Sequence, residues 1–438
     1  MSEPDIAISK WVRAASASLP AADPDDVTDA QLTPLLDIVG SARVIALGES
    51  MHRTHEFLAW RNRLLRFLVE HAGVTAVVLE SGFAEARMVD EWIRTGDGRL
   101  RSVLNEGITY HFGKCQESLD LVTWMREQHV REGRGPRFHG MDVPASAASA
   151  LPALLEAIGF LDDADPLYAA HVRNGLLASF DHLPSDTSGL AWAATAIQSY
   201  LGLDPSERHA ITSGISGLVE RMRAKRTDYV RAGADHESTS RAIRCAEVAR
   251  GADAFLSAMT EGPTRTWSAA NIRDSTMADS VEWVLDREPR VLLFAANGHV
   301  RRTPYLAPPF VSEPLATVGT HLSQRLADDY RVIGTTFGGG EAWLHRPSPD
   351  DLAGHSTPFT EALPAPQDDS LDAMLSRAAP GSFLVDLAGA PGALDRAAGT
   401  HNGPELELAD VRASFDAILH VERISPWHTW IDGRGRWA

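Results

Sequence analysis

The sequence predicts an α/β fold: a mostly parallel central sheet flanked by helices, with a helical lobe inserted in the middle of the chain. Three observations carry that expectation. Short runs that are apolar on both faces, VIAL at 44–47, AVVL at 76–79 and RVLLFA at 290–295, alternate with helix-period segments, as in a parallel sheet covered on both sides. The stretch 145–262 is Ala-rich, helical in period and poor in β-branched runs. Strand-like runs then resume to the end of the chain. Residues 1–144 are therefore expected to form the first part of the core, 145–262 the insertion and 263–438 the second part.

In chain order, 6–18 reads as a helix, followed by the acidic loop AADPDDVTD, where Asp26 or Thr28 can cap a second short helix reaching Leu36. Residues 44–80 form a strand–helix–strand unit. Between its two apolar runs, Phe57, Leu64, Leu65 and Leu68 recur at helical steps. A helix at 84–95 is closed by Gly96 and Gly98, another spans 119–128, and 137–141 is a third strand ending at Asp142. The insertion offers helices at 151–161, 167–177, 191–201, 215–230 and 240–259. A helix at 275–285 leads into the strand 290–295, and further strands are expected at 331–336, 342–345, 382–387 and 415–421. Asn297 and Gly298 suit a tight turn. The Pro-rich, polar stretch 347–367 reads as a loop or lid.

The 438 residues are 44% hydrophobic and 23% charged, an ordinary globular composition with room for a large core. The formal net charge of −18 disfavours nucleic acid and anionic membrane as partners. Two cysteines, Cys115 and Cys245, form no disulfide framework, and no run approaches the ~20 apolar residues of a membrane span. The N-terminus lacks the pattern of a signal peptide. The expectation is a cytoplasmic protein, monomeric or homodimeric, acting on a small molecule.

Chemistry is expected where strands end, because ligands of open α/β sheets bind beyond the strands' carboxyl ends. Glu49 follows Gly48 directly after one strand, Glu80 ends TAVVLE, and His299 follows RVLLFAANG. Glu49 alone reads equally well as a solvated loop side chain, Glu80 is the stronger candidate, and singly each residue is weak evidence. Three such ends delivering an acid or an imidazole point instead to a common site. Burying the Glu80 carboxylate requires a partner, and Arg61 and Arg63 are the nearest candidates in sequence. His52 and His55, three apart, share a helix face. HRTHE has neither the four-residue spacing nor the intervening glutamate of HExxH, so no metal is expected. There is no GxSxG elbow, Cys115 has no activating neighbour beyond His111, and GTTFGGGE matches no phosphate-binding motif, so no cofactor is expected. A histidine oriented by a carboxylate activates water, and an arginine or second histidine stabilises the oxyanion.

LGESMHRTHEF followed by TAVVLESGFAEA resembles the erythromycin esterase family, whose pattern is GExxHGxHEF and then AxExxFxEA. NIRDSTMADSVEWVL and VLLFAANGHV are similar to that family's RDxxMAxN helix and HNxH strand end, and DDYRVIGTTFGGGE and FDAILHV also fit. The match runs from about residue 44 to 421. The resemblance implies an α/β core with a helical lobe and metal-free hydrolysis of an ester, a macrolide lactone in the family's best-known case. It implies His52 as general base, with Glu49, Glu80, Arg61 and His299 around it. His55, Arg53, Asn297, Asp142 and His321 are the positions expected to contact substrate. Three departures stand out: Ala296 replaces the first histidine of HNxH, Arg53 replaces the glycine after the site histidine, and HFGKCQES lacks the family's tryptophan. Two enzymatic readings follow: hydrolysis of a natural-product ester or lactone, and a biosynthetic elimination, dehydration or cyclisation using the same base. A binding protein that kept the fold is a third.

Overall fold

Apolar residues at consecutive positions of a strand point to opposite faces, so a run such as VIALGE demands cover on both sides of the sheet. The computed structural model, which describes residues 3–19, 23–143, 149–180, 192–260, 266–309, 311–347 and 356–430, supplies that cover. Ile45, Leu47, Val77, Leu79, Leu292 and Phe294 pack on one face with Phe57, Leu64, Leu65 and Leu68 of the helix His55–His71. Val44, Ala46, Val78, Val291 and Leu293 pack on the other with Met277, Val281 and Val284 of the helix Thr266–Leu285.

The sheet has eight strands in the spatial order Ser16–Leu19, Ser382–Asp386, Ala417–Val421, Tyr330–Phe337, Val44–Glu49, Val291–Ala296, Ala76–Gly82, Arg137–Asp142. The six strands from Ala417–Val421 onward run parallel; Ser382–Asp386 pairs antiparallel with them, and Ser16–Leu19 pairs antiparallel with Ser382–Asp386. The predicted fold class holds. Val44–Glu49, Val291–Ala296 and Ala76–Gly82 are adjacent, so their carboxyl ends, carrying Glu49, Glu80 and the segment to His299, open at one edge of the sheet.

Helices Leu151–Ala164, Pro205–Arg231 and His236–Met259 close round a separate apolar core built from Leu154, Ile158, Leu161, Ile215, Leu218, Met222 and Val248, which Phe83 joins from the strand end. Leu154, Ile158 and Leu161 lie at helical steps along one face.

Four local expectations need correction. The first helix ends at Ala15, and Ser16–Leu19 is an edge strand paired antiparallel with Ser382–Asp386. Nothing in SASL marks a strand, and the pairing partner decides it. Within the expected loop 347–367, Ser356–Ala362 is a strand paired with Glu341–Pro347, while 348–355 lie outside the described residues. Asn297 and Gly298 open a short helix, Asn297–Val300, rather than a turn. A four-stranded sheet of Gly399–Asn402, Glu405–Leu408, Tyr305–Ala307 and Val311–Leu315 was not anticipated, because its strands are only three to five residues long. Residue 191, expected to begin a helix, lies outside the described residues, and that helix runs Trp192–Leu201. Among the described residues, no helix is long and apolar enough to cross a membrane.

Candidate active site

The loop after Val44–Glu49 is shaped by Asn297. Its side chain passes over Gly48, where a Cβ would lie 1.9 Å from Asn297 Oδ1, and reaches the next strand but one. There Nδ2 donates to the Thr335 carbonyl (2.8 Å) and to Ser50 Oγ (3.2 Å), while Oδ1 accepts from the Thr335 N–H (3.1 Å). Ser50 N–H donates in turn to Thr335 Oγ1 at 2.8 Å. Gly48 is thus required by a crossing side chain. Asn297, expected to touch substrate, is buried with its amide committed to holding two strand ends together.

That frame presents His52. Its Nδ1 lies 2.9 Å from Glu49 Oε2, and the ring is tilted against Phe112 with centroids 5.2 Å apart. With Nδ1–H directed to the carboxylate, Nε2 is the ring nitrogen left to accept a proton. Glu49 is buried and its Oε1 has no hydrogen-bond partner among the described residues, whereas His52 is about one-third exposed. Burial opposes the charged ring, but Glu49, and less strongly Glu80, outweigh it, so the His52 pKa lies above the ordinary histidine value.

A second cluster surrounds Glu80. Its Oε1 accepts from Arg273 Nη2 (3.1 Å) and lies 3.3 Å from His299 Nε2, while Oε2 accepts from the Ala296 N–H (3.1 Å). His299 Nδ1 meets Asp274 Oδ1 at 2.7 Å. Arg273 also donates to both oxygens of Asp142, at 2.9 and 2.5 Å, and Tyr110 O–H donates to Asp142 Oδ2 at 2.7 Å. Burial disfavours the ionised Glu80, yet His299, His52 and Arg273 hold its carboxyl well below the usual range. Burial likewise works against a charged His299, but Asp274 and Glu80 raise its pKa well above normal. Arg273 and Asp274 come from NIRDSTMADSVEWVL, a segment whose resemblance was noted without these roles. The pair of opposite charges in RD was the available signal.

The two clusters meet at a cavity of about 20 Å³ lined by Glu49, His52, Arg61, Glu80, Phe112 and Phe294, among others. Space of ~10–15 Å³ accommodates one water. Arg61 is buried here with its guanidinium 5.3 Å from the Phe294 ring centre, and it bonds Asn62 and the Glu117 carbonyl. The charge partner of Glu80 is therefore Arg273 rather than Arg61 or Arg63, and Arg63 lies elsewhere, bound to the Val27 carbonyl and Asp29.

The remaining expected contacts divide. Arg53 stays near, its guanidinium over Phe112 and Trp343 at 6.0 and 5.4 Å, and its φ of 64° explains why glycine suits that position. His55 turns away from His52 to Glu117 Oε1, at 2.7 Å. Asp142 is fully buried, anchoring Arg273. His321, on the helix Val318–Leu326, does not line the cavity. Cys115 is buried, and that burial pushes its thiol up to about 12.

A histidine held by an acid at the carboxyl edge of a helix-flanked parallel sheet is the arrangement of a general-base enzyme site. A family profile described as Erythromycin esterase matches residues 69–424, and the chain belongs to that family. Erythromycin esterase type II of Escherichia coli is 26% identical over 426 residues, spanning 95% of this chain and 97% of that protein. Erythromycin esterase type I of Escherichia coli is 26% identical over 406 residues, spanning 88% and 92%. Among solved structures, a mutant of the erythromycin esterase EreC in its open conformation shares the fold with a TM-score of 0.77 at 21% identity, over 94% of this chain and 98% of that one. A succinoglycan biosynthesis protein does so with 0.77 at 19% identity, over 98% and 99%. Family membership supports an esterase-type hydrolase.

Proposed function

We propose that the protein hydrolyses an ester or lactone of a natural product with His52 as general base and no metal in the chemical step. The supporting observation is the His52 Nδ1–Glu49 Oε2 contact of 2.9 Å beside a cavity that Glu80 also lines. His52 Nε2 takes a proton from water as the oxygen attacks the carbonyl carbon. Glu49 balances the imidazolium that forms. Arg61, the cation that lines the same cavity, supplies positive charge for the oxyanion. The tetrahedral intermediate then expels the alkoxide, which takes the proton back from His52, leaving acid and alcohol.

Ala296 favours a second reading. Its side chain carries no proton where the family motif has an imidazole, so one proton carrier is missing and His52 can serve instead in an elimination or cyclisation. Incubation with a lactone panel in heavy-oxygen water separates the two. One labelled oxygen in the acid product, lost with His52→Ala, is the expected result. Unlabelled conversion assigns the base to lyase or cyclase chemistry, and turnover unchanged in His52→Ala removes it from the reaction altogether. Activity that survives a chelator is expected of a metal-free step.

A further inference from the structure

Outside the cavity, three segments far apart in sequence bring His55, Glu117 and His428 together. Each offers a ligand atom, and these atoms all lie within 4.8 Å of one another. Glu117 Oε1 lies 2.7 Å from His55 Nδ1 and 3.3 Å from His428 Nδ1, and it accepts from the His428 backbone N–H at 3.0 Å. The two imidazoles overlap, with centroids 4.2 Å apart. Glu117 is 3% exposed, and its second oxygen, Oε2, is buried with no hydrogen-bond partner among the described residues. A buried carboxylate oxygen left without a donor is costly. His428, 61% exposed, opens the cluster to solvent.

We propose that His55, Glu117 and His428 form a binding site for a divalent cation of the zinc class, separate from the catalytic cavity. Two imidazole nitrogens and a carboxylate are a borderline donor set suited to zinc and its neighbours rather than to calcium or magnesium. Ligand lengths of ~2.0–2.1 Å at tetrahedral angles place donor atoms ~3.3 Å apart. The His428–Glu117 separation already matches, and the His55–Glu117 contact has to lengthen by ~0.6 Å on that geometry. Through the exposed His428 the cluster is open to solvent. The only other such cluster among the described residues, Asp29, Glu70 and His71, rests on exposed Glu70 and His71.

The site's place in the fold gives the ion a function. The segment carrying His428 straps the helix that follows the catalytic loop: His55 N–H donates to the Ser425 carbonyl at 2.9 Å, Trp427 N–H to the Arg53 carbonyl at 3.0 Å, and Gln116 N–H to the His428 carbonyl at 2.9 Å. A bound cation ties this strap and Glu117 to a residue three positions from His52. It acts as a structural clamp and takes no part in the proposed hydrolysis.

The test is titration of the metal-stripped full chain with zinc, read by calorimetry and by metal content after dialysis, with His428→Ala and Glu117→Gln in parallel. The wild type is expected to retain one zinc equivalent more than His428→Ala, with affinity falling about 100-fold or more on loss of a ligand. Its Tm should rise with zinc where that of His428→Ala does not. Because His428 is exposed, that variant is expected to fold even if Glu117→Gln does not, and circular dichroism checks it. Equal zinc content and affinity in wild type and His428→Ala, or no binding to either at micromolar zinc, overturns the proposal.

Discussion

Arg273 Nη2 donates to Glu80 Oε1 at 3.1 Å and so ties the helix Thr266–Leu285 to the end of the strand Ala76–Gly82. The same nitrogen lies 2.5 Å from Asp142 Oδ2, at the end of the neighbouring strand. One guanidinium thus pairs with two buried carboxylates and borders His299. Its own pKa reflects this: burial alone would lower it, but Asp142, Tyr110 and Glu80 raise it well above the usual value.

Replacing Arg273 by Ala is expected to destabilise the fold by ~3–5 kcal/mol, the usual penalty for leaving a buried charge without its partner. Denaturant unfolding measures it. Ester turnover should fall at least ~100-fold as Glu80 and His299 lose their positions. A loss of stability below ~1 kcal/mol would show that water replaces the guanidinium freely.

The pH dependence follows from His52. A base must be neutral to take a proton, so activity disappears as pH falls through the His52 pKa, which Glu49 raises against the opposing effect of burial. The acid limb of kcat/KM is expected above the ordinary histidine value, and Glu49→Gln should move it to lower pH, because burial is then less opposed. A limb that stays in place in Glu49→Gln would assign it to another group.

Gly48 and Asn297 are expected to couple. Gly48→Ala places a methyl 1.9 Å from the present position of Asn297 Oδ1 and should cost ~1–3 kcal/mol from overpacking. In an Asn297→Ala background the same substitution should cost less, leaving an interaction energy of ~1 kcal/mol or more in a double-mutant cycle. Additive effects would mean that the methyl clashes with something other than the amide.

Both cysteines are buried and free, and burial pushes each thiol up to about 12. Native protein is expected to resist alkylation and to keep its activity in thiol reagents, with both sites labelled only after unfolding. Mass spectrometry checks this. Rapid labelling of Cys115 in the native state would require the segment around it to open.

The strand ends were legible because their signal is local. VIALGE, AVVLE and VLLFAANGH each couple an apolar run, which has to be covered on both faces, to a polar residue where cover stops. That is why Glu49, Glu80 and the segment bearing His299 were found; they converge because their strands are neighbours in the sheet. Arg273 and Asp274 carry only the opposite charges of RD, which on a helix read as solvated until their neighbours are known, and Tyr110, in a turn, carries no mark at all. The edge strand Ser16–Leu19 and the hairpin strand Ser356–Ala362 were missed for a related reason: their partners, not their composition, make them strands.

By itself the amino-acid order determined which segments become strands of the parallel core, which ends bear acid or imidazole, and that the middle of the chain is helical. Periodicity and burial act over a few residues and can be read there. Which acid holds which base was decided only in three dimensions. Glu49 rather than Glu80 meets His52, Arg273 rather than Arg61 or Arg63 meets Glu80, and His55 leaves the cleft for Glu117. Pairings between charges depend on approach within about 3 Å, and no local pattern encodes the distance between residues such as 80 and 273, nearly two hundred positions apart.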